Sequence, residues 1–317
     1  MIQSIYGRSD KLKNIEIILN LVYKHAPLQK KKIESFLNEK DGVFLQEFEN
    51  FLSEYIEYLK KNDMTIEYGV HAYLKMVNDM FKSHVKFMRT GQYSTESATD
   101  AFNEVYNNEK EMLSYMIGLA LSQYLWSTHY EMFNHLKLSL AQDKSNIYKY
   151  LEIGPGHGLF LKTAIDILNK NTEMVAVDIS QTSLNISKSI ISHFHPLKDM
   201  SFINKDMLDL NMDFEFDFIV MGEVIEHVED PSSLLRKIFE LLSKNGRAFL
   251  STCVDCPAID HVYHFHTVDE IREMLVKCGL EIESERVLPV ENLPMNEITA
   301  KKVTINYSAV VKRIAND

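Results

Sequence analysis

Apolar residues in the first 145 positions recur every three or four residues, and no alternating pattern interrupts them. Phe44, Phe48, Phe51, Leu52, Tyr55, Ile56 and Leu59 share one face of a helix predicted over residues 43–61. Asp41-Gly42 supplies the turn before it. Thr65 is placed to cap a second helix, whose stripe is Tyr73, Leu74, Val77, Phe81, Val85 and Met88 and which ends at Thr90-Gly91. A polar stretch, residues 92–100, follows, and residues 102–140 are again apolar and aromatic.

The pattern changes at residue 146. Residues 147–153 form a short β-branched and aromatic run ended by glycines, and similar runs lie at 174–177, 202–203, 216–221 and 247–252. Helical segments at 159–168, 183–193, 231–242 and 268–278 separate them. Such alternation predicts a parallel sheet with helices on both faces. Two last runs, 282–290 and 304–311, predict a hairpin at one edge. The expected fold is α/β: a Rossmann-like, doubly wound, mostly parallel seven-stranded sheet in residues 146–317, after an all-helical domain in residues 1–145. Ligands of such sheets bind at the carboxyl ends of the strands, where the strand order reverses.

Composition narrows the partners. The net charge is −11, and it is uneven: residues 1–147 hold 17 basic and 19 acidic side chains, residues 148–317 hold 17 and 26. Nucleic acid normally demands a basic surface, so none is expected as partner, and an anionic membrane surface is disfavoured for the same reason. No run approaches the roughly 18 apolar residues of a membrane span. The first fourteen residues have no apolar core and no small-residue cleavage site, so no signal peptide is expected. Cys253, Cys256 and Cys278 are too few for a disulfide framework and suit a reducing cytoplasm.

Glu152-Ile153-Gly154-Pro155-Gly156-His157-Gly158 lies between the first strand and first helix of the sheet. Glycines here permit a sharp turn and close approach of a ligand, and the following helix offers its amino terminus to negative charge. A dinucleotide fingerprint would need glycine at Leu159, and a Walker loop would need Gly-Lys-Ser/Thr; both are absent. The acidic-x-Gly-x-Gly-x-Gly loop resembles motif I of the class I S-adenosylmethionine-dependent methyltransferases, over about residues 148–312.

The resemblance implies S-adenosylmethionine as cofactor, bound by Glu152, Gly154, Gly156, Gly158, Asp178, Ile179, Asp206, Met207 and Glu223. Asp178, at the end of the second strand, would take the ribose hydroxyls, and Asp206-Met207 the adenine. Glu223, closing the fourth strand, would touch the methionine moiety. Asp178 also reads as a helix cap, and Asp206 as a solvated loop residue.

Glu223-Val224-Ile225-Glu226-His227-Val228 resembles the signature of the quinone-biosynthesis O-methyltransferases and the metal-binding E-x-x-E-H of small-RNA 2′-O-methyltransferases. Helical spacing would aim Glu223, Glu226 and His227 into one site. Two carboxylates and an imidazole suit a divalent cation. The RNA-modifying relatives imply a further histidine from Asp260-His261-Val262-Tyr263, with His264 and His266 as alternatives, so the candidate metal set is Glu223, Glu226, His227 and His261. Without metal, His227 or His261 serves as general base, or His227 caps a helix. Cys253-x-x-Cys256 lacks the second pair of a zinc site and reads as ordinary thiols.

Gln123, Trp126, His129 and Tyr130 give the helical half a mixed aromatic and polar face, which reads as core or as a lid over a small substrate, with His129 a third catalytic candidate. The expected function is methyl transfer to a small-molecule acceptor, with self-association through the helical domain into a homodimer. An RNA 2′-O-methyltransferase and a non-catalytic cofactor-binding scaffold are the alternatives.

Overall fold

Tyr150, Leu151, Glu152 and Ile153 are all buried, as a strand covered on both faces requires. In the computed structural model, which describes residues 12–95, 97–101 and 108–315, this run is the first strand, β1 (Lys149–Ile153). The reading of the first fourteen residues therefore falls largely outside the described residues, as does the start of the apolar stretch at 102–107.

The helices are α1 (Lys13–His25), α2 (Lys30–Asn38), α3 (Gly42–Lys61), α4 (Ile66–Thr90), the short α5 (Ala98–Ala101), α6 (Glu109–Leu125) and α7 (Ser127–Asp143). Asp41 caps α3, its carboxylate accepting from Phe44 N at 2.9 Å, and Thr65 accepts from Tyr68 N at 3.1 Å ahead of α4. The buried face of α4 carries Val70, Tyr73, Met76 and Phe87. Phe81, Val85 and Met88, expected in the buried stripe, are 63%, 42% and 51% exposed, because the packed face runs through Tyr73, Met76, Ser83 and Phe87, and they stand on the face next to it.

After β1 the chain alternates through α8 (Leu159–Ile167), β2 (Glu173–Asp178), α9 (Gln181–Phe194), β3 (Ser201–Asn204), β4 (Phe216–Gly222), α10 (Pro231–Leu241), β5 (Leu242–Val254), α11 (Val268–Lys277), β6 (Leu280–Pro289), α12 (Met295–Ala300) and β7 (Ile305–Arg313). Each of three helices starts on a side-chain cap: Ser180 for α9, Asp230 with Pro231 for α10, Thr267 for α11. The seven strands form one sheet in the order β3-β2-β1-β4-β5-β7-β6. β1 to β5 are mutually parallel; β7 pairs antiparallel with both β5 and β6. The expected edge hairpin is thus present with its second strand inserted beside β5. The order reverses between β1 and β4, and the crevice at such a switch point is where open α/β sheets bind their ligands.

Two compact units emerge from the packing: residues 1–78 with 114–130, and residues 79–113 with 131–317. The division differs from a boundary at residue 145, since α7 beyond Tyr130 and the second half of α4 group with the sheet. Phe133 stacks on Phe160 at 5.8 Å, and His135 bonds Ser308 and Ser284 at 2.9 Å each, tying α7 to α8 and the sheet. Among the described residues no helix is long and apolar enough to cross a membrane.

Candidate active site

β1 hands over to the glycine loop at the switch point. Gly154 donates to the Val177 carbonyl at 2.9 Å, and Gly154, Gly156 and Gly158 have φ of 64°, 48° and 71°. At Gly154 the left-handed backbone is combined with close packing: a Cβ there would lie 2.7 Å from Val224 Cγ2. Glu152, just before the loop, is buried and accepts from Tyr150 OH at 2.5 Å; burial pushes its carboxyl up to about 8. Asp178 at the end of β2 accepts from Ser180 N at 2.8 Å and Ser183 Oγ at 2.5 Å, and desolvation raises it to about 6. It therefore holds the turn into α9 as well as standing at the strand terminus expected for ribose. Asn204 stitches the end of β3 to the same place, donating to the carbonyls of Asp178 and Ile179 at 3.0 and 2.9 Å. Asp206 heads a 3₁₀ turn, accepting from Leu208 N at 2.9 Å, with Met207 buried behind it and Ile179 exposed. The carboxyl ends of β1, β2 and β3 thus bring the expected cofactor residues to one edge of the sheet.

The Glu–His motif reaches its site by a different route from the one its spacing suggests. The motif itself is not α-helical, and α10 begins only at Pro231. Glu223 is left-handed, with φ of 53°, and its N–H donates to the Ser251 carbonyl and hydroxyl at 3.0 and 3.1 Å. A single 3₁₀ turn, Ile225–His227, then turns the chain. The Glu226 carbonyl accepts from Val262 N and Tyr263 N at 2.8 and 2.9 Å, which pins the loop after β5 against this turn. That loop delivers His261. Donor atoms of Glu226, His227 and His261 lie within 4.8 Å of one another, as do those of Glu223, Glu226 and Cys253. His264 and His266 go elsewhere: His264 bonds Asp255 at 2.7 Å, and the two imidazoles lie 4.0 Å apart.

The hydrogen bonds also fix the imidazoles. His227 Nδ1 donates to the Asp260 carbonyl at 2.9 Å, and His261 Nδ1 to the Cys256 carbonyl at 2.7 Å. A carbonyl only accepts, so in each neutral ring Nδ1 carries the proton and Nε2 the lone pair. Burial, then the neighbouring His227, lower His261 to about 4. Glu226 Oε2 accepts from Thr252 at 2.9 Å, whereas Glu226 Oε1 and Glu223 Oε1 are buried without a hydrogen-bond partner. Burial pushes both carboxyls up to about 8, with Glu226 reinforcing the shift in Glu223. Glu226, with its orphaned oxygen, beside two imidazoles makes a donor set that fits Mg²⁺, Mn²⁺ or Fe²⁺, and Glu223 adjoins that set through Glu226.

Sequence reasoning missed Tyr93. Its OH accepts from Cys256 N at 2.9 Å, and its ring lies 4.6 Å from His264. Phe87 meets His264 edge-on at 5.1 Å, Thr95 donates to the Ile259 carbonyl, and Ala98 N donates to Glu229 at 2.8 Å. Phe87, Tyr93 and Thr95 thus brace the loop that carries His261, and Ala98 the chain just after His227. The available signal was a lone tyrosine in the polar stretch after Thr90-Gly91. In the helical unit, Trp126 donates to Tyr73 OH at 2.8 Å, His129 Nδ1 is 2.8 Å from Ser122 Oγ, and Tyr130 packs edge-on to Phe44 at 4.6 Å. Gln123 is buried in the same unit with its Oε1 unpartnered.

Comparison with known proteins agrees with this architecture. Residues 125–285 match the family model described as a methyltransferase domain. The ubiquinone biosynthesis O-methyltransferase of Pseudomonas aeruginosa is 24% identical over 204 residues, 57% of this chain and 86% of that one. The enzyme of the same description from Pseudomonas fluorescens is 25% identical over 126 residues, 38% of this chain, so the match spans about half, 51%, of that relative's length. Among solved structures, the N-methyltransferase NodS from Bradyrhizobium japonicum, in complex with S-adenosyl-l-homocysteine, superposes with a TM-score of 0.50 at 15% identity, over 70% of this chain and 100% of that one. The mitomycin 7-O-methyltransferase MmcR gives 0.52 at 13% identity, over 78% and 70%. These likenesses establish the fold, and the family match covers half of the chain. The chain belongs to the methyltransferase-domain family, with the class I fold of S-adenosylmethionine-dependent enzymes.

Proposed function

We propose that the chain transfers the methyl group of S-adenosylmethionine to a hydroxyl of a small-molecule acceptor, and that Glu223, Glu226, His227 and His261 hold a divalent cation beside that hydroxyl. The observation that carries this reading is Glu226, with a buried, unpartnered oxygen, next to two imidazoles with defined tautomers, with the second unpartnered oxygen, that of Glu223, on a carboxyl adjoining Glu226. S-adenosylmethionine supplies an electrophilic methyl group, and a cation at the cluster would lower the pKa of the acceptor hydroxyl. The chain's residues do the rest by position. The glycine loop and Asp178 hold the donor's carboxylate and ribose ends, Asp206 and Met207 the adenine, and the cluster orients the acceptor oxygen for in-line attack. The acidic catalytic half, net −9 over residues 148–317, opposes a nucleic-acid acceptor.

The relatives are described as ubiquinone biosynthesis O-methyltransferases, so intermediates of that pathway are the first acceptors to try. The test is transfer of labelled methyl after chelator dialysis. Loss of activity, restored by Mg²⁺, Mn²⁺ or Fe²⁺, supports the reading. Activity indifferent to chelator refutes the cation and assigns proton removal to His227 or His261.

The helical residues 1–145 are assigned two further tasks, closing the site and forming a homodimer. Phe81, Val85 and Met88 support the second, as an exposed apolar row on α4. Sedimentation showing only monomer at micromolar concentration would remove the dimer. Three free thiols support a cytoplasmic setting, which fractionation of expressing cells would test.

A further inference from the structure

A single C-x-x-C is a poor metal site by itself, but the fold adds a third donor. β5 ends next to Cys253, the following turn buries Cys256, and the loop pinned by Glu226 returns His261 to both. One donor atom from each lies within 4.8 Å of the others, and His261 Nδ1 is 3.7 Å from Cys253 Sγ. Zinc bonds of about 2.3 Å to sulfur and about 2.0 Å to nitrogen in a tetrahedron place neighbouring donors roughly 3.5–3.8 Å apart. The observed separation falls in that range. All three residues are buried, so the site is shielded from water's competition.

We propose that Cys253, Cys256 and His261 form a second cation site, selective for Zn²⁺ or a similarly soft ion, and that filling it disables the methyl-transfer cluster. The coupling runs through one imidazole. His261 Nδ1 now donates to the Cys256 carbonyl, which leaves the lone pair on Nε2. An ion bound by the two sulfurs takes Nδ1. The two thiol protons leave to solvent, and the Nδ1 proton moves to Nε2. A neutral imidazole has one lone pair, so a ring that ligates through Nδ1 has no donor left for the site it shares with Glu226 and His227. The hard-donor cluster and the thiol site therefore compete for the same ring. Soft ions prefer the sulfurs, whereas Mg²⁺ has no affinity for them.

The formation of the thiol site stands independently of the proposed function; only the inhibition rests on it. The full chain, reduced and freed of metal, is titrated with Co²⁺. The expected result is thiolate-to-cobalt charge-transfer absorption in the near ultraviolet, lost in Cys253→Ser/Cys256→Ser. Far-ultraviolet circular dichroism and S-adenosylhomocysteine affinity report whether that variant folds, and Cys256→Ser alone serves if it does not. Zn²⁺ is expected to inhibit methyl transfer by the wild type and to need a concentration higher by about tenfold or more in the serine variant. Absence of the band from the wild type, or its persistence in the variant, overturns the site. A band without inhibition overturns the capture of His261. Failure of methyl transfer under every condition would count against the proposed function and leave the absorption result to decide the site.

Discussion

Gly154→Ala tests how the cofactor loop and the Glu–His turn depend on each other. Gly154 has φ of 64°, where an alanine costs about 1–2 kcal/mol. The new methyl would also lie 2.7 Å from Val224 Cγ2, on the residue that leads into the 3₁₀ turn of Glu226 and His227. Overpacking of this kind costs about 1–3 kcal/mol. The expected destabilisation is therefore about 2–5 kcal/mol, read from the urea midpoint at unchanged slope. Val224→Ala removes the clashing methyl groups but leaves the backbone strain. In the double variant about 1–3 kcal/mol should return relative to the sum of the single changes. Calorimetry should show weakened S-adenosylmethionine binding in Gly154→Ala, only partly recovered by Val224→Ala. If the two changes add to within about 0.5 kcal/mol, the contact between loop and turn has no energetic weight and the reasoning fails.

Asp178→Ala should weaken S-adenosylmethionine about 10- to 100-fold, since a charged hydrogen bond contributes about 1.5–3 kcal/mol; unchanged affinity in calorimetry would remove Asp178 from the site. Thermal stability without added cation should fall between pH 6.5 and 8. Glu152, Glu223 and Glu226 have carboxyls raised to about 8, so over that window the folded chain binds more protons than the unfolded one and loses stability as pH rises. The histidines lowered to about 4, His135, His157 and His261, act oppositely, but only up to their ordinary value of 6.5. Mn²⁺ or Mg²⁺ should flatten the fall by stabilising the charged carboxylates. A melting temperature independent of pH from 6.5 to 8, or untouched by either ion, would contradict the cluster's assignment.

The sequence alone determined most of the sheet, because each strand and helix is a local pattern. An apolar run of four or five residues, a glycine loop and an amphipathic segment are each read from adjacent residues, as Tyr150–Ile153, Gly154–Gly158 and residues 183–193 of α9 show. The strand ends were legible for the same reason, and the family resemblance singled out Asp178, Asp206 and Glu223 at or just past them. The routes by which distant residues meet were decided by tertiary structure. Glu223, Glu226 and His227 looked like neighbours on a helix, yet a left-handed residue and a 3₁₀ turn set Glu226 between Glu223 on one side and His227 on the other, a geometry held by Ser251 on the adjacent strand. Of three histidines within six residues, only a four-residue resemblance favoured His261 over His264 and His266. Two backbone bonds to Glu226 select His261, while Asp255 takes His264. Tyr93, 163 residues from Cys256, showed only as a lone tyrosine in a polar stretch, with nothing to name its partner. Such contacts are invisible to periodicity because they depend on chain closure over long separations, and only the packed fold supplies the partner that makes each one favourable.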